Sequence, residues 1–164
     1  MIVVVMGVSG AGKTRIGRDV AKRLGWTFIE GDDLHTEANR QKMAAGTPLN
    51  DDDRWPWLDR LCEAARGIEA DGGSVVIACS ALKRAYRDRL RGAGRDVRFV
   101  HLLGDRAVIG ERLAARRGHY MPPGLLDSQI ATLEAPTADE GVMTLDVSQR
   151  PSRIVDEVAA QLAG

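Results

Sequence analysis

The residues from Gly7 to Thr14 carry the clearest chemical signal in this sequence. Their spacing is G-x-x-x-x-G-K-T, which is typical of loops that bind nucleotide phosphates. Gly10 and Gly12 let the backbone turn its N–H groups toward an anion. Lys13 is expected to reach the β- and γ-phosphates, and the Thr14 hydroxyl to ligate Mg²⁺. The pattern predicts a site for a nucleoside triphosphate, formed by Gly7, Val8, Ser9, Gly10, Ala11, Gly12, Lys13 and Thr14.

A second chemical signal is the acidic stretch around Asp32. The preceding residues, 27 to 30, read as a strand, and open α/β sheets bind their ligands at the carboxyl ends of strands. We expect this strand to neighbour the first one, so that Asp32 can take a proton from an acceptor hydroxyl. Glu30 is a candidate for holding a magnesium-bound water, and His35 for contacting substrate. The competing interpretation makes Asp32 a turn or helix-cap residue.

Three arginines near position 112 form the third candidate group. Phosphoryl transfer needs positive charge around the moving group, and Arg112, Arg116 and Arg117 could supply it. The residues after them, 118 to 124, resemble a lid in composition, and Arg116 is the strongest single candidate. The alternative is that these arginines form a solvated helix face.

The elements needed to position these groups follow from the hydrophobic pattern. An apolar run, 2 to 6, predicts a buried strand before the loop, and Ile16, Val20 and Leu24 predict an amphipathic helix after it. Along the whole chain the order β-α-β-α-α-β-α-β-α-α-β-α is predicted. This order indicates a three-layer α/β/α sandwich with five parallel strands, forming a single domain over residues 1–164.

Composition limits the class of protein. The 164 residues include 23 Lys plus Arg and 23 Asp plus Glu, so there is no basic excess of the kind that nucleic-acid-binding surfaces show. Cys62 and Cys79 are too few for a disulfide framework and are expected to be reduced. No apolar stretch approaches membrane-spanning length, and the first apolar run is too short for a signal peptide. We therefore expect a cytoplasmic protein with no nucleic-acid or membrane partner.

Several stretches in order resemble one family of small kinases. They are Gly7–Thr14, Gly31-Asp-Asp-Leu-His35, Asn39-Arg-Gln-Lys-Met43, Pro48-Leu-Asn-Asp-Asp-Asp-Arg54, Pro56-Trp-Leu58, Cys79-Ser-Ala-Leu-Lys-Arg-Ala-Tyr-Arg87, Arg112-Leu113, Arg116 and Gly118-His-Tyr120. Together they are similar to the gluconokinase family, the P-loop kinases that phosphorylate D-gluconate. The resemblance runs from about residue 3 to 136.

The resemblance implies a nucleoside-monophosphate-kinase-like fold with strand order 2-3-1-4-5. It further implies transfer from MgATP to the 6-hydroxyl of gluconate, a substrate-binding insertion at about 35–60 and a lid at about 112–130. Its implied catalytic residues are Lys13, Asp32 and Arg116, and ATP would also meet Arg112. Thr14 would be the metal ligand, and the implied substrate-binding residues are Asp32, His35, Arg40, Lys42, Asp53, Lys83 and Arg87.

The basic residues agree with an anionic substrate. Arg40 and Lys42 lie on one predicted insertion, and Lys83 and Arg87 share a helix face just past a strand end. Each could instead be an ordinary surface charge. The oligomeric state stays open, with a homodimer among the alternatives.

Two other functions remain open at this stage. One is a different small-molecule kinase, such as a shikimate or nucleotide kinase, with the same loop and another acceptor. The more distant one is a nucleotide-dependent switch. Neither the Asn-Lys-x-Asp nor the Asp-x-x-Gly pattern of such switches occurs in the sequence.

Overall fold

The computed structural model of the protein describes residues 1–115 and 123–164. Within them the chain forms a five-stranded sheet and seven α-helices. The strands are β1 (Ile2–Met6), β2 (Thr27–Glu30), β3 (Val75–Ala78), β4 (Val97–Leu103) and β5 (Met143–Asp146). The helices are α1 (Lys13–Leu24), α2 (Glu37–Ala44), α3 (Asp51–Ala70), α4 (Arg84–Arg91), α5 (Arg106–Ala115), α6 (Pro123–Thr132) and α7 (Pro151–Ala163).

All strand pairs are parallel, and the strand order is β2-β3-β1-β4-β5. The predicted fold class and strand order are confirmed. The expectation that the second strand neighbours the first is wrong, because β3 pairs with both and separates them. Both connections are long enough for a crossover, so their lengths alone do not select the neighbour.

The central strand β1 is buried on both faces, and its alternating side chains divide the core in two. Val3 and Val5 pack with residues of α1 and α7. Ile2, Val4 and Met6 pack with residues of α3 and α4. The three layers therefore follow directly from the period-two pattern of a strand that meets helices on each side.

Local signals set the ends of several helices. Asn50 and Asp53 form a reciprocal capping box at the start of α3. Asp105 accepts the Val108 N–H at 2.9 Å as α5 begins. Gly25, with φ of 70°, ends α1 in a left-handed conformation. None of the helices in the described part of the chain has both the length and the apolar content needed to cross a membrane.

Candidate active site

The loop between β1 and α1 has the backbone geometry that its glycines permit. Gly10 has φ of 84° and Gly12, the N-cap of α1, has φ of 97°. Residues with a Cβ atom rarely adopt these left-handed values. A Cβ at Gly10 would also lie 2.7 Å from Cγ of Leu113 on α5. The loop is thus tightly packed, and the N-terminus of α1 directs its N–H groups and positive dipole toward an anion.

The side chains of Lys13 and Thr14 lie at the end of this loop. Lys13 Nζ donates a hydrogen bond to the Val8 carbonyl oxygen at 3.0 Å. The Thr14 hydroxyl donates to the carboxylate of Glu30, the last residue of β2. Hydroxyl and carboxylate oxygens are ligands that Mg²⁺ prefers, so this pair fits a magnesium ion that accompanies a nucleotide. Across the described residues, no group of three or more His, Cys, Asp or Glu side chains is arranged to hold a metal.

A cleft of about 250 Å³ lies beside the phosphate loop. Lys13 and Asp32 both line it, so the sequence-predicted phosphate and acceptor groups meet in one cavity. One wall comes from the segment between β2 and α3, and the other from α5 and α6. Its remaining lining residues are Ser9, His35, Met43, Thr47, Pro48, Leu49, Arg54, Trp57, Ser80, Leu113, Leu125, Ser128 and Gln129.

Asp32 lies on a 3₁₀ turn, Gly31–Leu34, that directly follows β2. Its side chain is 72% exposed, whereas the neighbouring His35 side chain is 4% exposed. Burial lowers the pKa of His35 to about 4, against the opposing attraction of Asp32, and the charges of Arg54 and Arg40 lower it further. At neutral pH the imidazole is therefore uncharged, and the carboxylate of Asp32 remains accessible to an acceptor hydroxyl.

Arg54 is a site residue that sequence reasoning missed as a binding group. It lies on the first turns of α3, is 7% exposed and lines the cleft. Its Nε donates to the Leu49 carbonyl oxygen at 3.4 Å, and its guanidinium carbon lies 5.3 Å from the centre of the Tyr86 ring. The signal was present: Arg54 precedes Leu58 by four residues and so falls on the apolar stripe of an amphipathic helix.

Five predicted substrate-binding residues lie outside the lining of this cleft, and four of them are exposed or half-buried. Lys42 Nζ pairs with the Asp53 carboxylate at 2.9 Å, and Lys83 Nζ pairs with Asp51 at 2.9 Å. Arg40 is exposed and donates to the Asp33 carbonyl oxygen at 2.6 Å. The two lysine pairs connect α2 and the N-cap of α4 to the first turn of α3, and the Arg40 contact connects α2 to the turn after β2. The structure does not bring Arg40, Lys42, Asp53 or Lys83 together with Lys13 and Asp32.

Arg87 lies in the protein interior, and not at the substrate site that its sequence position suggested. The side chain is fully buried, and its guanidinium makes five hydrogen bonds. Two go to the carboxylate of Glu140, at 2.6 and 2.9 Å, and three to the carbonyl oxygens of Ala81, Leu82 and Glu134. With all of its N–H groups used inside the protein, Arg87 joins α4 to the segment before β5 and has no donor left for a substrate carboxylate.

A second cleft of about 440 Å³ lies at the carboxyl ends of β4 and β5. It is lined by Leu103, Gly104, Asp105, Val108, Asp146, Val147 and Ser148. Arg112, a predicted ATP contact on α5, donates from Nη2 to the Val147 carbonyl oxygen at 2.5 Å. Arg112 therefore borders this second cleft rather than the one that holds Asp32.

The α6 helix contacts the phosphate loop directly. Gln129 Oε1 accepts the Ser9 backbone N–H at 2.8 Å. This backbone N–H belongs to the loop that is expected to bind phosphate, so the hydrogen bond links α6 to the proposed nucleotide site. The predicted lid residues 116–122, which include Arg116 and Arg117, lie outside the described residues.

Fold and loop together define a class of protein. A parallel sheet of order 2-3-1-4-5, whose central strand runs into a G-x-x-x-x-G-K-T loop, is that of a small P-loop kinase. In agreement, the family model described as "AAA domain" matches residues 2–136.

The comparisons with individual proteins narrow the class to one family. The chain is 47% identical to a probable gluconokinase of Xenopus tropicalis, covering 99% of this chain and 93% of that protein. It is 46% identical to a gluconokinase of Gluconobacter oxydans, covering 95% and 88%. The crystal structure of a gluconokinase from Sinorhizobium meliloti superposes with a TM-score of 0.89 at 46% identity, covering 98% and 90%. The protein belongs to the gluconokinase family.

Proposed function

We propose that this protein transfers the γ-phosphoryl group of ATP to the 6-hydroxyl of D-gluconate, giving 6-phospho-D-gluconate and ADP. The observation that carries the proposal is the identity of 46–47% to gluconokinases over nearly the whole chain. The geometry supports it, because one cleft holds the phosphate-loop lysine, an accessible carboxylate and a buried arginine.

Three residues have separate roles in the proposed reaction: Asp32, Lys13 and Arg116. Asp32 orients the 6-hydroxyl and takes its proton as the oxygen attacks the γ-phosphorus. The bond from the γ-phosphorus to the β–γ bridging oxygen breaks, and ADP carries away the electron pair. Lys13 places positive charge beside the phosphoryl oxygens, where negative charge is concentrated in the transition state. Arg116, on the proposed lid at 112–130, adds a second positive charge.

In this proposal Mg²⁺ binds together with the nucleotide. When bound with ATP, Mg²⁺ neutralises part of the phosphate charge. Thr14 would hold it through the hydroxyl oxygen, with Glu30 close enough to accept hydrogen bonds from its bound water. The second cleft, next to Arg112 and Val147, is proposed to receive the nucleoside end of ATP, because it lies along the same edge of the sheet.

The carboxylate of gluconate is assigned to Arg54. This arginine is buried in the wall of the cleft, and a guanidinium binds a carboxylate through two parallel hydrogen bonds. The segment at 35–60 is thus proposed as the substrate-binding insertion, within a single domain of residues 1–164. Both ATP and a sugar acid are soluble metabolites, and we place the enzyme in the cytoplasm.

A substrate panel tests the function. ADP release would be measured with D-gluconate, D-glucose, shikimate and nucleoside monophosphates, with ATP alone as the control. We expect gluconate to be the best substrate, and phosphorus NMR to place the product phosphate on carbon 6. Glucose lacks the carboxylate, and the loss of one charge-assisted contact should reduce kcat/KM by about 10- to 100-fold. Faster turnover of shikimate or a nucleotide would contradict the proposal, and equal turnover of glucose would contradict its sugar-acid part.

A further inference from the structure

The turn that carries Asp32 rests on a buried histidine and a buried tryptophan. His35 Nε2 lies 3.8 Å from Asp32 Oδ1. The imidazole stacks on the Trp57 ring, with centroids 4.0 Å apart and an angle of 19° between the planes. Trp57 Nε1 in turn donates to the Gly31 carbonyl oxygen at 2.7 Å. The imidazole is therefore fixed in its plane, with one ring nitrogen toward the carboxylate.

The protonated ring nitrogen of His35 can be deduced from Asn39. The side-chain nitrogen Nδ2 of Asn39 lies 2.8 Å from the Asp53 carbonyl oxygen, which can only accept a hydrogen bond. This contact identifies that atom as the NH₂ group of the amide. The same nitrogen lies 3.3 Å from His35 Nδ1. Because an NH₂ group only donates, Nδ1 must accept, and the ring hydrogen sits on Nε2, facing Asp32.

The charge of the ring agrees with this assignment. The groups that face it are Asp32, Asn39, Trp57 and the more distant cations Arg54 and Arg40. Burial is the largest influence and lowers the pKa of His35 to about 4, so the ring is neutral at physiological pH. A neutral donor orients a carboxylate without the full positive charge that would reduce its basicity.

We propose that His35 is a positioning residue whose Nε2–H, directed by Asn39, holds the Asp32 carboxylate toward the acceptor hydroxyl. The proposal rests on the proposed function, in which Asp32 takes the proton of that hydroxyl. The present separation of 3.8 Å exceeds a hydrogen bond, and catalytic hydrogen bonds commonly shorten when substrate binds. Asp32 is exposed and can make this small movement, whereas His35 is held on both sides. In this proposal His35 acts through Asp32, whereas the sequence predicted that His35 contacts substrate directly.

Kinetics of matched variants test the positioning role. His35→Phe keeps the ring stacked on Trp57 but removes both nitrogens, whereas His35→Gln retains an N–H donor near the position of Nε2. We expect His35→Phe to lower kcat by about 10- to 100-fold, the scale of a misplaced catalytic group, with KM for gluconate within about threefold of wild type. His35→Gln should recover most of the lost kcat.

The double variant separates the positioning role from direct substrate contact. In an Asp32→Asn background, His35→Phe should change kcat by less than about twofold, because the carboxylate that it positions is gone. Independent effects, with the full loss from His35→Phe in both backgrounds, would overturn the proposal. A raised KM with unchanged kcat in His35→Phe would also overturn it, since that result assigns His35 to substrate binding. Full kcat in Asp32→Asn would instead refute the base assignment in the proposed function.

The tautomer of His35 can be measured directly by NMR. Nitrogen-15 NMR of the histidine rings should show His35 with a protonated Nε2 and an unprotonated Nδ1 at pH 7. The Asn39→Ala variant, which removes the donor to Nδ1, should weaken this preference. An Nδ1-protonated ring, or an imidazolium at pH 7, would overturn the proposal whatever the kinetics show.

Discussion

Arg54 brings a permanent positive charge to the wall of the cleft, and this charge helps to lower the pKa of the Asp51 and Asp53 carboxylates nearby. None of the ion pairs formed among the described residues includes it. Its contacts are the Leu49 carbonyl oxygen and the face of Tyr86. A partly desolvated guanidinium is stabilised strongly by a bound anion, which supports the proposed binding of the gluconate carboxylate at Arg54.

Substitution of Arg54 should weaken the binding of gluconate without weakening that of ATP. Arg54→Met preserves most of the side-chain volume but removes the charge, and we expect KM for gluconate to rise by about 10- to 100-fold while KM for ATP stays nearly unchanged. The measurement is steady-state kinetics with each substrate varied in turn. Lys83→Ala is the matched control, because Lys83 pairs with Asp51 outside this cleft. If Lys83→Ala raised KM for gluconate equally, the carboxylate would lie toward Lys83 and the Arg54 assignment would fail.

The largest effect of Lys13 is expected in the transition state. Lys13 begins α1 and belongs to none of the hydrophobic core clusters among the described residues, so Lys13→Ala should still fold, as its thermal unfolding curve would show. Turnover should fall by about 10³-fold or more, because the lost charge stabilises the moving phosphoryl group. Lys22→Ala, on the exposed last turn of the same helix, provides the control with unchanged turnover. A loss smaller than tenfold in Lys13→Ala would mean that phosphate binds elsewhere.

The elements around the site are held by polar contacts between distant parts of the chain. The Lys42–Asp53 pair connects α2 to α3, and the Lys83–Asp51 pair connects the start of α4 to the same first turn of α3. The Arg87–Glu140 pair then joins α4 to the short 3₁₀ segment Ala138–Glu140 ahead of β5. The Arg87 hydrogen bonds hold the pKa of Glu140 below its ordinary value, so this carboxylate stays charged although it is buried.

The buried Arg87–Glu140 pair should contribute to the stability of the fold and not to substrate binding. Arg87→Met leaves the Glu140 carboxylate buried without its partner, and we expect a loss of about 3–5 kcal/mol in the free energy of unfolding. Urea denaturation measures this loss, with exposed Arg89→Ala as a control that should change stability far less. At temperatures where Arg87→Met remains folded, KM for gluconate should match wild type. A raised KM with full stability would restore Arg87 to the substrate site.

At the scale of the whole molecule, the cleft lies between two sets of elements. The segment from β2 to α3 supplies Asp32, His35 and Arg54, while α5 and α6 supply Leu113 and Gln129. The hydrogen bond from Ser9 to Gln129 links the second set to the phosphate loop. Binding of a nucleotide at the loop competes for the same N–H, so the position of α6 is expected to respond to the nucleotide.

The proposed lid can be tested by hydrogen exchange. We predict that amides at 117–124 exchange more slowly when ATP and gluconate are both bound, because a lid must exclude water from the phosphoryl group. Buried β3 provides the internal reference, with equal protection in both states. Equal exchange at 117–124 with and without the substrates would refute the lid.

Patterns within short stretches of the sequence were enough to predict much of the fold and part of the site. The phosphate loop, its preceding strand and its following helix are contiguous in sequence, so glycine spacing and hydrophobic period were sufficient to predict them. The position of Asp32 next to a strand end was equally local. The resemblance supplied the strand order, which the structure confirmed, and the family, which the comparisons confirmed.

Only the tertiary structure decided which charges face the cleft. Arg54 and Arg87 each occur in a helix with an apolar stripe, and nothing local distinguishes a guanidinium that lines a cavity from one that is buried in an ion pair. Arg87 pairs with Glu140, 53 residues away, while Arg54 lines the cleft that also includes Ser9 and Lys13 of the phosphate loop. The insertion of β3 between β1 and β2 is likewise a long-range pairing. Such partners depend on packing between separate elements, which the pattern within one element does not encode.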